Sequence, residues 1–194
     1  MTLFRALAPA ILMTLPLSAW ADPYCADLWF TRNALLDRAG QCFDTTLGRT
    51  LFDNAECVGT ADPDVATARD VTEIAAWETR AGCAVDTGLR TLDLPDLPFR
   101  QRMRDLPLRD ETESACLGWR GPRVLLHSGW DRNARITGSI EGGDHVLSSH
   151  MSAPSAAGPG WSYVTVTRPG GDGGILAAGW TQTDTFSACD ATAG

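Results

Sequence analysis

The chain has 194 residues, a formal charge of −8 and six cysteines. That length allows one sizeable domain or two small ones, and the acidity weighs against nucleic acid or anionic lipid as a partner through bulk electrostatics.

Arg5 precedes an apolar run from Ala6 to Leu17, closed by Ser18-Ala19-Trp20-Ala21. Small residues occupy the positions a signal peptidase reads, so residues 1–21 are predicted to be a signal peptide cleaved after Ala21. The run is short, is broken by Pro9 and Pro16, and is ill suited to span about 30 Å of hydrocarbon. The expected location is a periplasm or the extracellular space, with no membrane insertion after cleavage. All six cysteines, Cys25, Cys42, Cys57, Cys83, Cys116 and Cys189, come after the cleavage point. Their even number in an exported chain predicts disulfides, and the lack of close C-x-x-C spacing argues against a zinc or redox site. No metal or other cofactor is expected.

Leu28, Leu35 and Leu36 at helical spacing, with Gly40 as a stop, predict a first helix over 26–40. A second, short helix is expected over 47–54 with Thr46 as N-cap, and a third over 65–80, opened by Asp62-Pro-Asp64 and ended by Gly82. Val71, Ile74, Ala75 and Trp77 share its apolar face. Residues 22–86 thus form a helical unit.

Within it, Arg32, Asn33, Leu35, Arg38, Gly40 and Phe43 keep a pattern that resembles the YARHG domain of secreted bacterial proteins. Leu36, Asp37, Ala39 and Gln41 depart from it, and the domain's histidine is absent, so no role that depends on it carries over. The resemblance implies an exported protein and no particular reaction.

Helix geometry constrains the bridges. About 13 helical residues hold Cys25 roughly 20 Å from Cys42, beyond the reach of about 7 Å between bridged Cα atoms. If the first two helices form an antiparallel hairpin, Cys25 faces Cys57 and Cys42 is left for Cys83. Cys116 and Cys189 remain, and their bridge would tie the opening of the C-terminal region to its close.

Residues 87–114 contain Pro95, Pro98 and Pro107 and mix Arg100, Arg102, Arg104 and Arg109 with Asp96, Asp105, Asp110 and Glu111. This stretch is expected to be an extended linker, solvated or self-paired.

From 115 to 190, short apolar runs alternate with glycine turns, which predicts a small antiparallel barrel. Leu126-His-Ser-Gly129, Gly138-Ser-Ile140, Gly142, Gly160-Trp161 and Gly179-Trp180 resemble the bacterial SH3-like domain. On that resemblance, 133–140 and 144–148 form a hairpin through Glu141-Gly-Gly143, and Arg168 to Gly174 turns between the two Gly-Trp strands. The fold class is therefore α+β: a small disulfide-bonded helical unit, then an SH3-like antiparallel β-barrel.

Catalytic signals are sparse. His127, His145 and His150 are the only imidazoles, and neither a G-x-S-x-G elbow nor an H-E-x-x-H helix accompanies them. His145 and His150 fit ordinary surface histidines better than metal ligands. Gly170-Gly-Asp-Gly-Gly174 lacks the ending of a phosphate loop and fits a hairpin turn. No enzyme is expected.

Trp161 and Trp180 belong to the barrel core on the SH3-like resemblance, while Trp130 lies in the polar loop that borders the ligand groove of such domains. Trp130, Asp131, Arg132 and Tyr163 are the expected contact residues, and the loop 149–160 is expected to be long and exposed. The resemblance implies a binding module for a cell-wall peptide or glycan, or for an envelope protein. The competing readings are a structural or interaction factor whose groove is filled, and an unrecognised envelope hydrolase. Two observations discriminate them: whether Trp130 lies open or under the Arg-rich stretch, and whether a histidine or carboxylate pair converges in a pocket.

Overall fold

A computed structural model describes residues 22–152, 160–171 and 173–194. The expected signal peptide lies outside the described residues, as does most of the loop that precedes Gly160. Helix α1 (Pro23–Arg38) starts where the Asp22 carboxylate accepts the Tyr24 N–H and Pro23 fills a position whose missing donor costs nothing. Helix α2 (Thr46–Leu51) is capped by Thr45, one residue before the expected Thr46. Helix α3 (Val65–Ala81) begins on Asp64, which accepts the Thr67 N–H, and ends on Gly82 at φ 67°, where a side chain would be strained.

α3 runs antiparallel to α1. Arg32 pairs with Glu78 at 2.9 Å, Leu28 packs with Ile74, and Cys25 meets Cys83. The three disulfides are Cys25–Cys83, Cys42–Cys57 and Cys116–Cys189. The first two correct the expected Cys25–Cys57 and Cys42–Cys83 pairs. α2 is too short to form the assumed hairpin with α1. A 3-10 turn at Asn54–Glu56 and a parallel bridge between Gln41 and Gly59 fold the chain back locally, which brings Cys57 to Cys42. The long third helix then returns its C-terminal end to the start of α1.

Residues 87–114 are not a solvated linker. They hold helix α4 (Leu97–Arg100) and the start of strand β1 (Pro107–Trp119), and Leu92, Leu94, Arg100, Met103, Leu106 and Leu108 are all buried. Six more strands complete the chain: β2 (Val124–His127), β3 (Ile136–Ile140), β4 (His145–Ser152), β5 (Ser162–Thr167), β6 (Ala177–Thr181) and β7 (Cys189–Ala193). They form one antiparallel sheet in the order β3-β2-β6-β5-β4-β1-β7.

The glycine hairpin between β5 and β6 is present, with Leu176 N–H donating to the Val166 carbonyl. The expected hairpin at Glu141-Gly-Gly143 is not, because β3 pairs only with β2 while β4 lies between β5 and β1. β3 and β7 are not bonded to one another, so the sheet curls without closing into a barrel.

One face of the sheet encloses Val124, Leu126, Ile140, Val146, Val164, Val166 and Ala177. The other packs Tyr163, Ala178 and Trp180 against Ala26, Trp29, Phe30 and Ala34 of α1 and against Leu92, Leu94, Met103 and Leu106. That second core is continuous between helices and sheet, so the two halves fold as one unit.

Gly179 sets how closely β6 approaches β2. A Cβ there would lie 2.8 Å from the His127 carbonyl oxygen and closer still to the Thr137 hydroxyl. Gly179→Ala is expected to cost about 1–3 kcal/mol by overpacking, read as a lowered denaturation midpoint. An unchanged midpoint would mean that β2 and β6 can separate freely.

Candidate binding groove

The residues that carry the YARHG resemblance join the helices to the Arg-rich stretch and to their own loops. Arg38 donates to the carbonyls of Met103 at 2.6 Å and Arg104 at 2.7 Å. Asn33 donates to the Trp29 carbonyl, Phe43 stacks on Phe52 at 4.7 Å, and Gly40 takes φ 90° beside Val58.

Behind them lies a buried ion cluster. The Arg100 side chain, fully enclosed, pairs with Asp27 and with Asp96 and donates to the Pro107 carbonyl at 2.9 Å. Its guanidinium lies 5.6 Å from the centre of the Tyr163 ring, whose hydroxyl donates to Asp96 at 2.8 Å. Asp27 also accepts the Arg109 N–H and meets His150 Nε2, each at 3.0 Å. Burial works against ionisation of Asp27, but the Arg100 charge, with His150 and the Arg109 amide, outweighs it and holds the carboxyl below its usual range. Burial, with the Asp96 charge beside it, pushes the Tyr163 hydroxyl well above its usual range, so it remains a donor.

His150 Nδ1 lies 3.0 Å from Ser149 Oγ. Hydroxyl, imidazole and carboxylate are thus in sequence, but Ser149 is buried, the His150 side chain is 5% exposed and Asp27 is sealed against Arg100. A histidine and two carboxylates converge in the core and not in a pocket. Nor is His150 an ordinary surface histidine. His145 accepts the Gly118 N–H at 3.0 Å and takes no part in that cluster.

Of the expected contact residues, Tyr163 is fully buried and cannot reach a ligand in this structure. Trp130 lies under the Arg-rich stretch: its backbone N–H donates to Asp105 at 2.8 Å, and its ring meets Trp180 edge-on at 5.4 Å. Asp131 faces Arg104 at 3.6 Å, and Arg132 donates to Gln182 at 2.9 Å. Trp180 is core as expected, and Trp161 is half-buried against His127. The loop expected from 149 begins later, because Ser149 and His150 belong to β4.

An open groove lies elsewhere, where α1, the end of α3, β1 and β4 meet. One cavity of about 430 Å³ is lined by Tyr24, Trp77, Arg80, Arg109, Asp110 and Met151. A second, of about 420 Å³, shares Tyr24, Arg109 and Asp110 and adds Asp22, Thr112 and Glu113. Each falls within the usual size of ligand sites, about 300–1,000 Å³. A bulge makes this possible. Between the pairs Arg109↔His150 and Ser114↔Ser148, β1 advances five residues against two of β4, which throws Asp110, Thr112 and Glu113 out of register beside the groove. Nothing in the sequence pointed here beyond the charge mixture over 109–113, because the two walls come from segments far apart in the chain.

The family model described as "Domain of unknown function (DUF4453)" matches residues 82–194, more than half of the chain. The chain belongs to that family. The YARHG domain matches residues 5–81, which extends the expected resemblance across all three helices. The DUF4453 match replaces the SH3-like domain expected over 115–190, in keeping with the unclosed sheet. No curated protein and no solved structure matches the chain. The groove takes Tyr24, Trp77 and Arg80 from the YARHG region and Arg109, Asp110 and Met151 from the DUF4453 region.

Proposed function

We propose that this is an exported, non-enzymatic binding protein of the cell envelope, and that its ligand sits in the groove between helices and sheet. The observation that carries this reading is the groove itself, built by both matched regions at a bulge, with two aromatic rings and two guanidiniums along its walls. Export is supported by the leader-like N-terminus, the YARHG match and the pairing of all six cysteines. A non-catalytic role is supported by the enclosure of the converging Ser149, His150 and Asp27. On this reading the covered Trp130 loop is a fixed part of the scaffold.

The test is retention of the oxidised chain, from Asp22 onward, on purified peptidoglycan sacculi and on a detergent extract of envelope proteins. Trp77→Ala is expected to abolish retention in a chain that still folds, although losing its packing on Leu28 and Ile74 lowers stability somewhat. Trp130→Ala is expected to lower thermal stability, because it uncovers Trp180, while retention survives. The reverse pattern would move the site back to the Trp130 loop.

A further inference from the structure

The groove is polarised. The first cavity carries Arg80 and Arg109 against one carboxylate, Asp110. Arg80 has no carboxylate partner among the described residues, so its charge is not already neutralised by an ion pair. The second, which shares Arg109 and Asp110 with the first, adds the carboxylates of Asp22 and Glu113, and Glu113 already engages Arg109 at 3.2 Å. Cleavage after Ala21 would add the α-ammonium of Asp22 there, and three carboxylates would still face two cations. Tyr24, Trp77 and Met151 supply apolar walls.

We infer that the groove takes a short zwitterionic peptide, its carboxylate toward Arg80 and its ammonium toward Asp22 and Glu113, with small apolar side chains between. This rests on the groove being the binding site and adds the chemistry of its occupant. Guanidinium and carboxylate form charge-assisted hydrogen bonds that an amide or acetyl cap cannot replace. Charge placed at both ends also fixes direction, because a reversed peptide would set like charges together.

The experiment follows the Trp77 indole N–H by NMR in the oxidised chain from Asp22 onward. The probes are tri-, tetra- and pentaalanine with free termini, the same peptides amidated at the C-terminus, and the same peptides N-acetylated. Free peptides are expected to shift the Trp77 signal, and either cap is expected to weaken binding about tenfold, the scale of one lost charge-assisted contact. Arg80→Gln should remove sensitivity to the amide cap and leave sensitivity to the acetyl cap. Asp22→Asn with Glu113→Gln should do the opposite.

Equal binding of capped and free peptides overturns the zwitterionic assignment. So does a Trp77 signal that none of the peptides moves while retention on sacculi or extract still depends on Trp77. In both cases the groove stands as a site for another ligand. Retention that ignores Trp77 overturns the groove itself.

Discussion

Arg100→Met is expected to cost about 3–5 kcal/mol of stability, the range for breaking a buried ion pair from one side, read by chemical denaturation of the oxidised chain. The large effect comes from what remains. Asp27 and Asp96 are both buried against Arg100, and the methionine leaves Asp96 with no cation and Asp27 with only the His150 imidazole at 3.0 Å. Asp27→Asn added to Arg100→Met should recover part of the loss, because the uncompensated charge disappears with it.

The pH dependence gives a second signature. In the native chain the Asp27 carboxyl is held below its usual 3.8, so its contribution is complete above that value and is lost as pH falls through the folded value. In Arg100→Met the main influence lowering it is gone and burial dominates, which raises the folded value above the usual one. The deficit of the variant should then be greatest near neutrality and narrow as the medium is acidified toward pH ~4. A deficit that stays constant with pH would mean that Arg100 acts by packing alone.

Removing a disulfide should rank second. Cys25–Cys83 closes a separation of 58 residues, and the chain-entropy relation puts its contribution at up to about 4 kcal/mol. Cys42–Cys57 spans 15 and comes to about 3 kcal/mol on the same relation. Alanine replacements of each pair, compared by thermal unfolding, should fall in that order. If the shorter bridge proves the costlier, the stabilisation is local and enthalpic, seated in the Gln41–Gly59 bridge that it clamps.

Local signals were the legible part of the sequence. Asp64 and Gly82 bound α3 as expected, Ile74 faces the core, and the glycine-rich turn after Arg168 does join β5 to β6. These features depend on a few neighbouring residues. The strand that organises the sheet was hidden for the opposite reason. β1 carries Arg109, Asp110 and Glu113 through its bulge, so its first half has the composition of a solvated linker and reads as a strand only once β4 flanks it.

The same limit applies to the sites. Asp27 sits in a helix whose first turns are buried on every side, which no spacing announces, and its partners lie 73 to 123 positions away. Tyr163 looked available in a short strand because the helix that covers it lies in the opposite half of the chain. Trp130 was a fair candidate in isolation, and only the path of Arg104 and Asp105 over its loop closes it.

The boundary between the two matched regions falls at 81/82, just ahead of Cys83. Cys83 is bonded to Cys25, α1 fills the core under the sheet, and Arg38 holds the backbone of Met103. A gene cut at that boundary would give each fragment an orphan thiol and an exposed apolar face, and Asp27 and Arg100 would part company as unpaired charges. The two sequence families thus meet inside a single folding unit. Any shuffling of either region onto another partner would have to carry along its half of the core, its half of the bridge and its wall of the groove.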